Sequence, residues 1–215
     1  MDDTVVLTLD RPVYRVRDMN SKQDASGGTR ARLIAAMTDA LRRRGLHGVG
    51  LTELLARADA PKGVLYHHFP GGKTELAVAA IDDVVARMLG ALDTLLVQHS
   101  DPLQATRQWM QAATQRLSRS GFDAGCPLAT VALESTADDP ALRAALARAF
   151  ATLRERIAQT LEAGGESPAT ARGLAALIVA TYEGGLLQAR VAQSTEPIEQ
   201  ATQTLLALLD ARAAP

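Results

Sequence analysis

Apolar residues recur at intervals of three and four over most of this 215-residue chain and almost nowhere alternate, so the pattern predicts helices. From Thr29 onward, Leu33, Ala36, Met37, Ala40 and Leu41 share one helical face, and Gly45 follows as a left-handed cap. A second, short helix is expected over 51–58, with Leu51, Leu54, Leu55 and Ala58 on one side. Asp59 and Ala60 then make a tight turn, aspartate being one of the few non-glycine residues that tolerate positive φ. Pro61 opens a third helix, where its missing N–H costs nothing, and Val64, Leu65 and Phe69 point inward from it. After Pro70, Gly71 and Gly72, a long pattern over 73–97 connects this part to the rest. Further helices are expected over 102–118, 128–135, 140–163, 168–193 and 197–211, most with a proline at or near the start and with Gly121, Gly125, Gly164 and Gly165 between them. Residues 1–28 keep no sustained period and end in Ser26-Gly27-Gly28, so they read as a mobile leader, within which Met19 offers an alternative start. The stretch 5–9 alternates weakly but has no partner strand nearby.

Composition sharpens this to an all-α chain: 47% of residues are hydrophobic but only 3% aromatic, with alanine and leucine carrying the apolar content. No apolar run approaches the roughly 18 residues of a membrane span, and the first residues are acidic where a signal peptide is basic, so a cytoplasmic protein is expected. The lone Cys126 has no internal disulfide partner and cannot by itself build a structural zinc site. The net charge of −1 conceals an uneven distribution. Residues 29–73 hold eight basic side chains against three acidic ones, whereas residues 74–215 hold eleven arginines against sixteen acids. That is the electrostatic footprint of a chain touching phosphate with one end; ordinary scatter of surface charge is the alternative.

Two short helices joined by a tight turn and supported by a third make a helix-turn-helix, whose second helix enters the DNA major groove. Its exposed positions suit that use. Lys62 is aimed at a phosphate or a base edge, and Gly63 removes the side chain that holds a backbone off the duplex. Tyr66, His67 and His68 put hydrogen-bonding tips outward, and Thr52 offers a hydroxyl near the start of the supporting helix. Lys73 opens the connecting helix, so its charge and the helix N-terminus can meet one phosphate.

The run Gly48-Val49-Gly50-Leu51-Thr52-Glu53-Leu54-Leu55, followed by Ala60-Pro61-Lys62-Gly63-Val64-Leu65-Tyr66-His67-His68-Phe69-Pro70-Gly71-Gly72-Lys73, resembles the DNA-binding domain of the TetR/AcrR family, LmrA/YxaF-like subgroup. Gly125-Cys126-Pro127-Leu128-Ala129 with Leu133-Glu134 resembles the same subgroup's ligand domain, as do Gly184-Gly185-Leu186-Leu187-Gln188-Ala189-Arg190 and Ser194-Thr195-Glu196-Pro197. The likeness spans residues 29–210. It implies a three-helix DNA-binding domain over 29–73 and a helical ligand-binding and dimerisation domain over 74–215. It further implies a homodimer on a double-stranded operator, released by a small hydrophobic effector, with the last two helices pairing as a four-helix bundle. Small residues and leucines there (Ala175, Ala176, Ala180, Gly184, Leu205, Leu206, Leu208, Leu209) fit that packing, or packing within one chain. A dimer also follows from recognition, since one short helix reads too few base pairs. Two departures stand out: Val64 occupies a position where the subgroup often has Ser or Thr in contact with DNA, and Asp59 replaces a common turn glycine.

Other chemistries fit less well. Gly72-Lys73-Thr74 suggests a phosphate loop, but His67 stands where that motif needs glycine, and no buried strand precedes it. Adjacent helical residues such as His67 and His68 point about 100° apart and lack a third ligand, so no metal is expected. No cofactor is expected either. Cys126 reads as a small buried hydrophobe or as a redox sensor. The scarce bulky groups Trp109, Met110, Phe122, Phe150 and Tyr182 read first as core; Trp109, Phe122, Cys126, Tyr182, Glu183 and Gln188 are the candidates to line a ligand cavity. An α-helical enzyme lacks a His/Cys/Asp grouping that a helix would assemble. An architectural DNA-binding protein would not need the large acidic domain.

Overall fold

The computed structural model describes residues 19–213, and among these all regular structure is helical. Nine helices follow one another: α1 (Met19–Arg44), α2 (Leu51–Arg57), α3 (Lys62–His68), α4 (Gly72–Gln98), α5 (Pro102–Arg119), α6 (Pro127–Glu134), α7 (Pro140–Ala163), α8 (Pro168–Ala192) and α9 (Glu196–Ala213). From α2 onward every boundary lies within two residues of the expected one, because proline and the caps mark them. Asp101 and Ser167 accept hydrogen bonds from the Leu103 and Thr170 amides at the starts of α5 and α8. Pro61 itself sits one position earlier than expected, as the extended N-cap of α3 with ψ 152°.

The expected leader over 1–28 lies partly outside the described residues, and its last ten residues belong to α1. That stretch has no apolar face in the sequence, so periodicity does not reveal it. Once Leu33, Met37 and Leu41 anchor the helix in the core, extending it backwards needs propagation and not nucleation.

Helices α1, α2 and α3 close on a core of Leu33, Met37, Leu41, Leu54, Leu65 and Phe69, all buried. Burying Leu65 and Phe69 contributes about 1.5–3 kcal/mol each, and this holds a seven-residue helix that would not persist alone. Helix α4 packs on α1 and also on α5 and α7, so it joins these helices to the larger part. There α8 lies against α7 and α9, with Gly185 so close to Ile198 that a Cβ would stand 2.8 Å from its side chain.

The small-residue and leucine positions of the last two helices divide. Ala175, Leu205, Leu206 and Leu209 are buried within the chain, while Ala176, Ala180 and Leu208 face outward with Leu177, Leu187 and Val191.

Candidate nucleic-acid interface and ligand cavity

The turn between α2 and α3 depends on Asp59, which adopts φ 46° as expected, and on the Ala60 amide donating to the Leu55 carbonyl at 3.0 Å. Arg32 of α1 braces it, its guanidinium donating to the Ala58 carbonyl at 2.9 Å and the Asp59 carbonyl at 3.2 Å. Helix α3 then turns Leu65 inward and leaves Lys62, Gly63, Tyr66 and His67 exposed, positions spaced three and four apart on one arc. Tyr66 is 45% exposed, and a Cβ on Gly63 would meet nothing within 4 Å. Thr52, second residue of α2, is exposed too. Val64 and His68 are half-buried.

Most of the basic surplus in this part is engaged internally. Arg43 and Arg57 hold Asp39 at 3.0 and 2.7 Å, Arg44 and Arg57 hold Glu53, and Arg43 also reaches Asp123 at 2.6 Å. Arg30 lies 5.2 Å over the Phe69 ring. These pairs draw the carboxyls of Asp39 and Glu53 below the usual range: for Asp39 burial is the largest single effect and pushes upward, but Arg43 and Arg57 together outweigh it, and for Glu53 the hydrogen bond to Arg44 leads.

The C-terminal end of α1 is clasped by the larger part. The Gly125 amide donates to the Arg42 carbonyl at 3.0 Å, the Arg190 guanidinium to the Arg43 carbonyl at 2.7 Å, and the Leu46 amide to Glu134 at 2.5 Å. Gly45, with φ 73°, has no room for a Cβ against the Glu134 carboxylate. Behind this clasp opens a cavity of about 340 Å³, walled by Arg42, Met88, Arg116, Leu117, Cys126 and Tyr182 among others. Tyr182 stacks on Trp109 with ring centroids 4.7 Å apart, and the Trp109 indole N–H donates to the Met88 carbonyl at 3.1 Å. The Cys126 thiol donates to Glu183 Oε1 at 3.2 Å, while Glu183 Oε2 is buried without a partner. Burial pushes the Glu183 carboxyl up to about 7 and raises the Cys126 thiol and Tyr182 phenol as well.

Residues 33–80 match the family model of bacterial regulatory proteins of the tetR family, and residues 102–204 match the C-terminal domain of LmrA/YxaF-like transcriptional regulators. The chain is 32% identical over 190 residues to the uncharacterized HTH-type transcriptional regulator Rv0196 of Mycobacterium tuberculosis, an alignment covering 85% of this chain and 94% of that protein. It belongs to the TetR family of transcriptional regulators. As a TetR-family chain it is also 26% identical to HTH-type transcriptional regulator LmrA of Bacillus subtilis, over 80% of its own length and 92% of that protein's. Among solved structures, the regulatory protein TetR from Rhodobacter sphaeroides superposes with a TM-score of 0.74 at 30% identity, over 82% of this chain and 96% of that one. Family models and relatives alike are those of transcriptional regulators and not of enzymes, and the resemblance read from the residues is borne out. Among the described residues, no helix is long and apolar enough to cross a membrane, and no group of three or more His, Cys, Asp or Glu is placed to hold a metal.

Within this TetR-family fold, several expected side chains stand elsewhere than the sequence suggests. Lys73 does not project free from the start of α4: its ammonium donates to the Val49 carbonyl at 2.6 Å, and burial lowers its pKa. The α4 N-terminus already has a carboxylate, since Glu75 accepts the Gly71 amide at 2.6 Å. His68 turns off the outward arc toward Phe69, edge-to-face at 6.4 Å; burial, His67 and Arg30 lower its pKa and favour the neutral ring. Gln188 is far from any shared cavity with Tyr182, being exposed on the outer side of α8 and bonded back to the Gly184 carbonyl. Phe122 takes a left-handed φ of 62° and packs partly buried on the core without lining the cavity. Trp109 backs Tyr182 from behind, and Glu183 faces a second, smaller hollow of about 220 Å³ that shares Cys126 with the first. Cys126, a protonated buried thiol, has the character of a small hydrophobe. Arg42, Met88 and Arg116 line the cavity without any signal in the sequence, where each reads as an ordinary helical position.

Proposed function

We propose that this TetR-family chain is a ligand-responsive repressor that binds a palindromic operator as a homodimer and leaves it when a small effector enters the core. The observation carrying this reading is the outward arc of α3, where Lys62, Gly63, Tyr66 and His67 stand exposed on a helix immobilised by Leu65 and Phe69. Lys62 takes a phosphate or base edge, Tyr66 and His67 donate or accept at the groove, and Gly63 lets the backbone approach. Thr52 adds a hydroxyl from α2, while Val64, His68 and Lys73 support that surface from beneath. Residues 29–73 serve as the DNA-binding domain and 74–215 as the effector and dimerisation domain.

The outer face of α8 and α9, with Leu177, Leu187, Val191 and Leu208 exposed beside Ala176, Ala180 and Gly184, supports the dimer. No atom within 4 Å faces a Cβ built on Gly173 or Gly184, which leaves room for a second copy's helices. Paired there, two α3 helices about one DNA turn apart, roughly 34 Å, read a two-fold symmetric site. Release follows from population shift: an effector favouring a wider separation of the reading helices competes with the operator through a coupling of about 1–3 kcal/mol. The clasp at Arg42, Arg43 and Leu46 is the path by which a change in the core reaches α1.

Selection of bound fragments from a random DNA pool tests the reading, with sedimentation of the protein and its complex. Enrichment of a palindrome bound by two chains is expected. An asymmetric consensus, or a monomer on DNA, overturns it.

A further inference from the structure

We infer that the 340 Å³ cavity beside the α1 clasp is a receptor for a small amphiphilic carboxylic acid, its carboxylate bridging Arg42 and Arg116 and its apolar body lying along Met88, Leu117 and Leu186. This rests on the effector reading above and gives the effector its chemical class; a purely hydrophobic molecule would leave the cavity's charge unanswered.

The hollow is half open to solvent, and its charge is uneven. Four arginines line the cavity, Arg42, Arg43, Arg116 and Arg119, against the single acid Asp39. Asp39 is already held by Arg43 and Arg57, and Arg43 has Asp123 as well. Among the described residues Arg42, Arg116 and Arg119 have no carboxylate within salt-bridge reach. Arg42 is half-buried, and its pKa is lowered first by that burial and next by the positive charge of Arg116. Arg116 is also directed to the Tyr182 hydroxyl. Arg42, half-buried on α1, and Arg116, exposed on α5, border one hollow where neither has a carboxylate, and an anion bound there can be held by both guanidiniums. The rest of the lining includes apolar side chains, from Val84 and Met88 on α4 to Leu117 on α5 and Leu186 on α8. Guanidiniums and apolar side chains in one lining call for a carboxylate on a hydrocarbon or aryl body, not a bare inorganic anion. Because Arg42 sits on α1 and Arg116 on α5, the occupant joins the DNA-binding helices to the core at the point where the Arg42 carbonyl takes the Gly125 amide.

Trp109 is the only tryptophan and stacks on the cavity residue Tyr182, so its emission reports occupancy. The full chain is titrated with sodium octanoate, octanamide and sodium phosphate, and operator binding is followed in parallel. Octanoate is expected to saturate the emission change, with octanamide and phosphate binding at least about tenfold more weakly. Arg42→Gln and Arg116→Gln should each weaken octanoate by about tenfold or more while keeping the parental melting temperature, and Arg42→Lys should restore part of the loss. Octanamide or phosphate binding as tightly as octanoate, unchanged octanoate affinity in both glutamine variants, or no saturation by octanoate overturns the site. If octanoate binds through the arginines yet leaves operator affinity unchanged, the site stands and the effector reading falls. If octanamide displaces the operator while octanoate does not bind, the effector reading stands and the site falls.

Discussion

The surface of α3 and the cavity beside the α1 clasp both draw arginines from α1, and they treat charge in opposite ways. Around the helix-turn-helix, Arg32, Arg43, Arg44 and Arg57 are tied to carbonyls or carboxylates of the same chain, so they build the surface without facing outward from it. What remains exposed on α3 is one ammonium and a set of short-range polar tips. In the cavity, Arg42, half-buried on α1, and Arg116, exposed on α5, are left without carboxylates. A tally of sign along the chain cannot separate these cases. The informative quantity is which cation lacks a partner, and that depends on where the carbonyls and carboxylates of other helices arrive.

The largest effect is expected on the α3 side: replacing Lys62 and Tyr66 together by alanine should weaken operator binding by about 2–6 kcal/mol, at unchanged melting temperature. Near-parental affinity in a fluorescence anisotropy titration would sink the reading helix. On the cavity side, Glu183 has a folded pKa of about 7, above its ordinary value of 4.5, so the folded state retains a proton that the unfolded state has lost. Stability therefore falls as pH rises from about 4.5 to about 7 and is flat above, by at most about 3 kcal/mol. Glu183→Gln should remove this slope, and thermal melts of both proteins between pH 5 and 8 check it; parallel curves would contradict the burial of that carboxyl.

A smaller effect separates the two roles open to Lys73. Lys73→Met should cost about 0.5–1.5 kcal/mol of stability by removing the bond to the Val49 carbonyl, while the salt dependence of operator binding stays as in the parent. A salt slope shallower by about one unit, with no loss of stability, would return Lys73 to the phosphate backbone. The smallest change is Gly63→Ala, which should raise stability by up to about 1 kcal/mol because helix propensity improves and no atom opposes the new methyl. Operator affinity should fall in the same variant, since the methyl faces the duplex; equal affinity would show that Gly63 is not at a close approach.

Much of the molecule is legible in the order of its residues. The α2–α3 turn can be placed because Asp59 tolerates a positive φ and Pro61 is held near one φ, and α5, α7 and α8 can be bounded because proline suits a helix start. The first ten residues of α1 are not legible, having no apolar stripe to mark them. Among the ligand candidates chosen for aromatic scarcity, Trp109 and Tyr182 stack on one another, while Phe122 packs elsewhere. Proximity along the chain groups Gln188 with Tyr182, yet six positions along a helix carry a side chain to a different face.

By itself the chain determined its helices, their ends, the buried and open faces of α2 and α3, and its family, because these depend on periodicity, on a few residues with restricted backbones, and on contiguous motifs. Tertiary structure alone decided that Lys73 meets Val49, that Arg32 braces a turn, that Glu134 and Arg190 clasp the end of α1, and that Arg42 and Arg116 share a cavity. Helical spacing states which way a side chain leaves its own axis. Which backbone or charge comes to meet it is settled by how separate helices pack, and no local pattern encodes that distance.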